Sequence, residues 1–215
     1  MKYQAVIFDM DGVLVDSEAV ITKAAMLCLA EYGVQAQHQD FLPFTGTGED
    51  RFIGGVAEKH GLTYDVSMKH RTYEIYVDIV ASEIKVYPGI PELLGCLRAA
   101  GIKTAVGSSA DLVKVQANLP AAGIDPTLFD ALACGNDVIH KKPAPDLFLL
   151  AASRVGVEPS FCLVIEDALS GIAAARSAGM DCVAVASSFP KERLLSAGAV
   201  TVLEQTRDLA AWLGL

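Results

Sequence analysis

Two carboxylates separated by a single residue lie near the start of the chain, directly after a short apolar run. Residues 5–8 read AVIF, and Asp9 and Asp11 follow with only Met10 between them. Like charges this close repel each other unless a cation or a shared proton offsets the repulsion. The pattern therefore suggests a metal site or a proton-transfer site at the end of a buried strand.

Three further segments carry polar side chains that suit the same chemistry. They are the serines Ser108 and Ser109, the lysines Lys141 and Lys142, and the acids Glu166 and Asp167. Several carboxylates suit Mg²⁺, which prefers oxygen ligands, whereas a hydroxyl and a lysine suit the oxygens of a phosphoryl group. An aspartate can itself attack phosphorus as a nucleophile, and a second carboxylate can act as general acid and base.

Each of these motifs taken alone also fits an ordinary structural role. An isolated DxD is common in loops, a serine pair can begin a helix, and KKPAPD can be a solvated helix start. Adjacent acids such as Glu166 and Asp167 also favour the N-terminus of a helix. The four segments together are more informative, because all of them fall at predicted strand ends or helix starts.

Apolar runs alternate with helical patterns through most of the chain. The runs are 5–8, 102–107, 131–134, 162–165 and 182–186, and the helical patterns are 91–100, 112–122, 145–155 and 168–178. Nearly continuous apolar runs are typical of parallel strands that are buried on both faces. We therefore predict an α/β fold with a doubly wound, Rossmann-like parallel sheet, although Pro120 should shorten or bend the second helix.

One segment breaks this alternation, because residues 17–82 show helical patterns and no convincing strand. Ser17 could cap a first helix that runs to Tyr32. We predict a core domain of residues 1–16 and 83–215, with a helical domain of residues 17–82 inserted after the first strand.

The composition narrows the class of protein and its partners. Hydrophobic residues make up 52% of the chain, which indicates a well-cored globular protein, and the net charge of -9 argues against nucleic acid or an anionic membrane as partner. The sequence contains no run of about 20 apolar residues, so we predict no membrane span. The five cysteines are scattered along the chain, and we predict that they are buried free thiols. Free thiols suit a reducing compartment, so we expect the protein in the cytoplasm. We also expect it to be a monomer.

The polar segments together resemble the four signature motifs of the haloacid dehalogenase superfamily of phosphotransferases. The matching segments are FDMDGVLVDSE (8–18), VGSSAD (106–111), KKPAPDLF (141–148) and VIEDALSGIAAARSAG (164–179). The resemblance covers essentially the whole chain. It is strongest to the subgroup of β-phosphoglucomutase and small sugar-phosphate phosphatases, whose members carry a helical cap after the first motif.

The resemblance implies a role for each matching residue. It makes Asp9 the nucleophile, Asp11 the general acid and base, and Lys142 the cation that balances the nucleophile and the phosphate. The implied phosphate-binding residues are Ser108, Ser109 and Gly12, and the implied Mg²⁺ ligands are Asp9, Asp11, Glu166 and Asp167, with Asp11 binding through its backbone carbonyl.

Three residues depart from the family pattern or bear on the reaction. Lys141 replaces the usual glycine before Lys142, and we expect its side chain in solvent. Ile21 replaces the histidine that assists the mutases and can move no proton, which favours hydrolysis. Asp11 argues against dehalogenation, because true dehalogenases lack this second aspartate.

The inserted helices should select the substrate, and Arg51 is a candidate substrate-binding residue there, because arginine binds phosphates and sugar hydroxyls well. We expect its neighbour Glu49 to lie in a solvated helix start. Both belong to a segment with several glycines, FLPFTGTGEDRFIGGVAEKHG, residues 41–61.

The resulting expectation is a Mg²⁺-dependent phosphatase that hydrolyses a small phosphorylated metabolite, such as a sugar phosphate, through an aspartyl phosphate on Asp9. Two alternatives remain open at this stage. One is an intramolecular phosphotransferase of the β-phosphoglucomutase type, and the other is a binding or regulatory domain without turnover.

Overall fold

The computed structural model describes residues 2–44 and 48–215. Its strands are β1 (Ala5–Phe8), β2 (Val15–Asp16), β3 (Lys85–Val86), β4 (Lys103–Gly107), β5 (Ala131–Ala133), β6 (Cys162–Glu166), β7 (Asp181–Val185) and β8 (Thr201–Leu203). Six of them form one parallel sheet in the order β5-β4-β1-β6-β7-β8. The predicted α/β fold with a parallel sheet is therefore confirmed.

The helices cover both faces of this sheet and form a separate inserted group. They are α1 (Glu18–Glu31), α2 (His38–Phe41), α3 (Glu49–Lys59), α4 (Val66–Glu83), α5 (Ile90–Ala99), α6 (Leu112–Ala121), α7 (Asp146–Val155), α8 (Leu169–Ser177), α9 (Lys191–Ala197) and α10 (Leu209–Leu213). Among these, no helix is long and apolar enough to cross a bilayer within the described ranges.

Strand β1 shows why the sheet is doubly wound. Val6 and Phe8 point into a core shared with α5, α6 and α10, whereas Ala5 and Ile7 point into a core shared with α7, α8 and α9. Successive side chains of a strand face opposite sides, so a strand between two helical layers must be apolar at every position. All four residues of β1 are fully buried.

Helices α1 to α4 form the inserted group and have a third core of their own, centred on buried residues such as Leu29, Ile53 and Tyr76. The group joins the rest of the chain through the antiparallel pair β2 and β3, where Val15 lies opposite Val86. Helix α4 contacts α6 through the Tyr76 hydroxyl, which donates a hydrogen bond to Asn118 Oδ1. A separate core and a narrow two-strand junction support the predicted domain division, whose boundaries stay a prediction.

Several local expectations need correction. The β2–β3 pair and β8 were not predicted, because strands of two or three residues leave too short a pattern to recognise. Pro120 lies in the last turn of α6, where it removes little of the helix. Cys96 is exposed, whereas the other four thiols are buried and free as predicted. Ser17 precedes α1 but donates its hydroxyl hydrogen bond to Asp11 instead of capping the helix.

Candidate active site

The ends of β1 and β6 bring three buried carboxylates together. The two strands are parallel neighbours with Phe8 beside Ile165, so the residues that follow them meet at one edge of the sheet. Asp9, Glu166 and Asp167 each offer a carboxylate oxygen, and these oxygens lie within 4.8 Å of one another. A set of buried oxygen ligands this close is suited to a hard divalent cation.

Lys142 connects two members of this carboxylate cluster. Its Nζ lies 2.5 Å from Asp9 Oδ1 and 2.8 Å from Glu166 Oε1, and only 6% of its side chain is exposed. Burial alone would lower the pKa of Lys142, but the charges of Asp9 and Glu166 outweigh it and raise the pKa. The lysine therefore stays charged in a buried position.

Burial raises the pKa of two of these acids, Asp9 and Asp167. Burial raises the pKa of Asp9 to about 7, with Lys142 opposing the shift and Glu166 adding to it. Burial also raises the pKa of Asp167, and the neighbouring charges of Glu166 and Asp9 raise it further. Concentrated negative charge of this kind is costly when buried, and a bound cation would offset the cost.

Two glycines allow the carboxylates to approach the backbone closely. A Cβ on Gly12 would lie 1.9 Å from Asp167 Oδ2, and the φ of +82° is itself unfavourable for any other residue. A Cβ on Gly171 would lie 1.7 Å from Glu166 Oε1. Glu166 Oε2 also accepts hydrogen bonds from the amides of Asp167 and Ala168, at 2.8 and 2.7 Å. These contacts fix the orientation of both carboxylates.

Asp11 lies outside the three-carboxylate cluster and has different partners. Its Oδ2 is 2.7 Å from Lys114 Nζ, and its Oδ1 accepts the hydroxyl hydrogen bond of Ser17. Only 5% of the Lys114 side chain is exposed. Burial would lower the pKa of Lys114, but Asp11 and Glu49 raise it more. The ion pair with Lys114 and the hydrogen bond from Ser17 thus hold the Asp11 carboxylate in place, and its role in proton transfer stays a prediction.

Ser108 and Ser109 follow β4 on the other side of β1. Both line the same cavity as the carboxylates. The Ser108 side chain is buried, and its Oγ accepts a 3.2 Å hydrogen bond from the amide of Ala110. Both serines therefore lie near the acids that the sequence grouped with them, and their phosphate-binding role stays a prediction.

A cavity of about 750 Å³ lies between this edge of the sheet and the inserted helices. The inserted helices line it with Ile21, Phe41, Glu49 and Phe52, among others. The expectation that Glu49 is solvated is wrong, because the side chain is buried with 8% exposure. The Thr-Gly-Thr segment at 45–47 lies outside the described residues.

Arg51 is not among the described residues that line the cavity, and its role in substrate binding stays a prediction. Its Nη1 lies 2.7 Å from Glu58 Oε2, and the guanidinium lies 5.0 Å from the centre of the Phe44 ring. Glu49 and Arg51 are two positions apart on α3, so their side chains point to different faces of the helix. Glu49 takes the cavity face.

Lys141 is also placed differently from the expectation of a solvent-exposed side chain. It is partly buried, with 28% of its side chain exposed, and its Nζ lies 3.7 Å from Asp111 Oδ1. Asp111 also pairs with Lys69 of α4 at 3.2 Å. Lys141 therefore takes part in a charged contact between the core and the inserted helices, and it is not a ligand of the acid cluster.

Sequence reasoning missed three residues with clear contacts to the site. Lys114 lies inside a helix, where periodicity gives no sign of an ion pair with Asp11. The Ser188 hydroxyl donates a hydrogen bond to Asp167 Oδ2. The Ser187 hydroxyl lies within hydrogen-bond distance of both the Gly12 carbonyl (2.7 Å) and Asp167 Oδ2 (3.0 Å), and its single proton can be donated to either oxygen. These serines follow β7, so the strand-end rule that identified Ser108 could have found them.

Comparison with known proteins agrees with this geometry. Residues 3–179 match the family model for haloacid dehalogenase-like hydrolases. The chain belongs to this family. The resemblance stated from the motifs is therefore confirmed, and so is the predicted enzyme class, a phosphoric monoester hydrolase of the haloacid dehalogenase superfamily.

Named relatives of this haloacid dehalogenase-like hydrolase include a plant protein and a bacterial phosphatase. The chain is 47% identical over 202 residues to the chloroplastic protein SUPPRESSOR OF QUENCHING 1 of Arabidopsis thaliana, covering 92% of this chain but only 19% of that protein. It is 34% identical to the fructose-1-phosphate phosphatase YqaB of Escherichia coli, covering 86% of this chain and 97% of YqaB. A cytoplasmic location stays a prediction, because one relative is chloroplastic.

A solved structure of CbbY from Rhodobacter sphaeroides in complex with phosphate has the same fold. It superposes with a TM-score of 0.85 at 28% identity, covering 99% of this chain and 100% of CbbY. The similarity therefore includes the inserted helices as well as the parallel sheet.

Proposed function

We propose that this hydrolase is a Mg²⁺-dependent phosphatase that acts on a small phosphorylated metabolite. The observation that carries the proposal is the buried cluster of Asp9, Glu166 and Asp167, with Lys142 bridging the first two. The buried carboxylates need a cation to balance their charge, and a fixed lysine and a cavity of metabolite size lie beside them. This combination suits the transfer of a dianionic phosphoryl group.

The donor set fits Mg²⁺ because it consists of carboxylate oxygens on a preorganised, buried framework. Asp9, Glu166 and Asp167 would hold the ion, and Asp11 would add its backbone carbonyl. When bound, Mg²⁺ would neutralise part of the negative charge on these acids and on the phosphoryl oxygens. Gly12 and Gly171 would keep two of the ligands in position, because any larger residue would displace them.

In the first half of the proposed reaction, Asp9 Oδ attacks phosphorus in line with the leaving oxygen. The phosphorus–oxygen ester bond breaks, Asp11 gives its proton to the leaving alcohol, and an aspartyl phosphate forms on Asp9. In the second half, Asp11 accepts a proton from a water molecule that attacks the same phosphorus. Inorganic phosphate leaves and the Asp9 carboxylate is restored. Lys142 and Ser108 would bear part of the phosphoryl charge throughout.

The inserted helices α1 to α4 would act as a cap domain over this chemistry. They supply apolar side chains such as Ile21, Phe41 and Phe52 to the cavity, which would exclude bulk water from the phosphoryl group. The β2–β3 pair is the natural place for the cap to move relative to the core, since it is the short connection between them. We propose that the protein works as a monomer, with the complete cavity contained in one chain.

Hydrolysis is favoured over the mutase alternative by one observation. Ile21 lines the cavity at the position where the resemblance places a histidine in the mutases, and isoleucine cannot exchange a proton with a sugar hydroxyl. A sugar phosphate remains the preferred substrate class, since YqaB is named as a fructose-1-phosphate phosphatase.

The test is phosphate release from a panel of phosphorylated sugars and small phosphomonoesters, with fructose 1-phosphate included, in Mg²⁺ and in EDTA. Asp9→Asn should lower kcat by a factor of about 1,000 or more while circular dichroism stays native. Asp78→Asn, on the exposed face of α4, is the matched control and should keep wild-type activity.

Near-normal turnover by Asp9→Asn would overturn the assignment of the nucleophile. Formation of an isomeric sugar phosphate without release of inorganic phosphate would favour the mutase instead. Failure to hydrolyse any member of the panel in Mg²⁺ would favour a binding domain without turnover.

A further inference from the structure

The cavity is rich in negative charge beyond the acid cluster that would hold the metal. Four further carboxylates line it, and they belong to Asp11, Asp16, Glu18 and Glu49. Against these acids, two lysines line the described part of the cavity, namely Lys114 and Lys142, and no arginine does.

Both lysines are already paired with carboxylates. Lys142 contacts Asp9 and Glu166, and Lys114 contacts Asp11 at 2.7 Å. Each would have to give up its present partner in order to bind a second anionic group of a substrate. A buried pair that loses one member leaves an uncompensated charge, which costs free energy.

The nearby cations outside the cavity lining are paired as well. Lys141 pairs with Asp111, and Arg51 is directed to Glu58. His38 is the remaining basic side chain on the lining and is exposed. Among the described residues, the part of the cavity that would surround the leaving group thus has no cation comparable to Lys142.

Glu49 is a buried acid that the inserted helices contribute to the cavity. It lies in the first turn of α3, is buried, and forms no ion pair with any residue in the described ranges. Burial raises its pKa, and the charges of Lys114 and Lys141 oppose the shift. A buried carboxylate without an ion pair is stabilised by a ligand that donates hydrogen bonds and destabilised by a second anion.

We propose that the cavity selects phosphomonoesters with a single anionic group, whose leaving group offers hydroxyl or ammonium donors to Glu49. Bisphosphates and phosphorylated carboxylic acids are rejected, because their second anion meets Glu49 with no free cation to balance it. Glu49 is therefore a specificity-determining residue of the cap. This inference rests on the proposed phosphatase function and adds the substrate class to it.

The test compares two pairs of substrates that differ mainly in a second anion. They are glycerol 3-phosphate against 3-phosphoglycerate, and fructose 1-phosphate against fructose 1,6-bisphosphate. In each pair, kcat/KM for the first compound should exceed that for the second by about tenfold or more. Equal values, or a preference for the second compound in both pairs, would overturn the inference.

Variants of α3 connect this selectivity to Glu49. Glu49→Gln keeps the size of the side chain and should reduce both ratios by about fivefold or more, and Glu49→Lys should reduce them further. Asp78→Asn, on the exposed face of α4 and not among the cavity-lining residues, is the matched control and should leave both ratios unchanged. Unchanged ratios in both Glu49 variants would remove Glu49 from the explanation.

Phenyl phosphate separates failure of this inference from failure of the proposed function. Hydrolysis of phenyl phosphate together with equal rates within each pair would leave the phosphatase intact and overturn only the selectivity. Absence of hydrolysis for all five compounds in Mg²⁺ would overturn the phosphatase itself.

Discussion

Replacing Asp9 with asparagine removes one negative charge from a buried cluster and leaves the size of the side chain almost unchanged. Only 12% of the Asp9 side chain is exposed, and its Oδ1 accepts a hydrogen bond from Lys142. The amide oxygen of asparagine can accept the same bond. The variant therefore tests the charge of Asp9 separately from its packing.

The effect on stability can be calculated from the pKa of Asp9. Burial raises that pKa to about 7 from an ordinary value of 3.8 in the unfolded chain. The folded protein thus binds the proton more tightly, so the free energy of unfolding of the metal-free wild type falls as pH rises towards 7 and then levels off. Because the slope is about 1.36 kcal/mol per pH unit until the pKa is reached, the fall between about pH 5 and about pH 8 is roughly 2.7 kcal/mol.

The asparagine of Asp9→Asn cannot take up this proton. The free energy of unfolding of the variant, relative to that of the wild type, should therefore rise by roughly 2.7 kcal/mol between about pH 5 and about pH 8. Urea denaturation of both proteins in EDTA at the two pH values measures the difference. Asp78→Asn removes an exposed carboxylate of α4 and should show no comparable change. Mg²⁺ at the higher pH should stabilise the wild type more than Asp9→Asn. A stability difference that is the same at both pH values would refute the reasoning.

Three other substitutions test different parts of the site. Gly171→Ala places a Cβ 1.7 Å from Glu166 Oε1, so the Mg²⁺ concentration needed for half-maximal activity should rise about tenfold or more. Lys114→Met leaves the Asp11 carboxylate without its 2.7 Å ion pair, and kcat measured by phosphate release should fall about tenfold or more. Arg51→Ala removes a side chain outside the cavity, so kcat/KM should stay within about twofold of the wild type.

Each of these expectations has an outcome that contradicts it. An unchanged Mg²⁺ requirement in Gly171→Ala would mean that Glu166 is not fixed by this contact. Wild-type kcat in Lys114→Met would mean that the ion pair does not position Asp11. A loss of more than about tenfold in Arg51→Ala would mean that Arg51 turns into the cavity during turnover. Circular dichroism of each variant separates these results from loss of the fold.

The main features of the candidate site follow from the amino-acid sequence. Asp9, Ser108 and Glu166 were grouped because each lies at the end of an apolar run that reads as a buried parallel strand. Parallel strands in one sheet end at the same edge, so side chains at those ends must lie near one another whatever the details of packing. The apolar pattern of each strand is sufficient to place these residues, and β1, β4 and β6 fall close to their predicted positions.

Which helical side chains enter the site depends on how the helices pack together. Glu49 and Arg51 are both polar residues near the start of α3, and Lys114 lies within α6. Whether such a side chain is buried depends on how one helix lies against a segment far away in the chain. The packing of the inserted helices over the sheet turns Glu49 towards the cavity and Arg51 towards Glu58, and it encloses Lys114 beside Asp11. Local periodicity carries no information about that packing, because it describes one helix and not the surface that the helix meets.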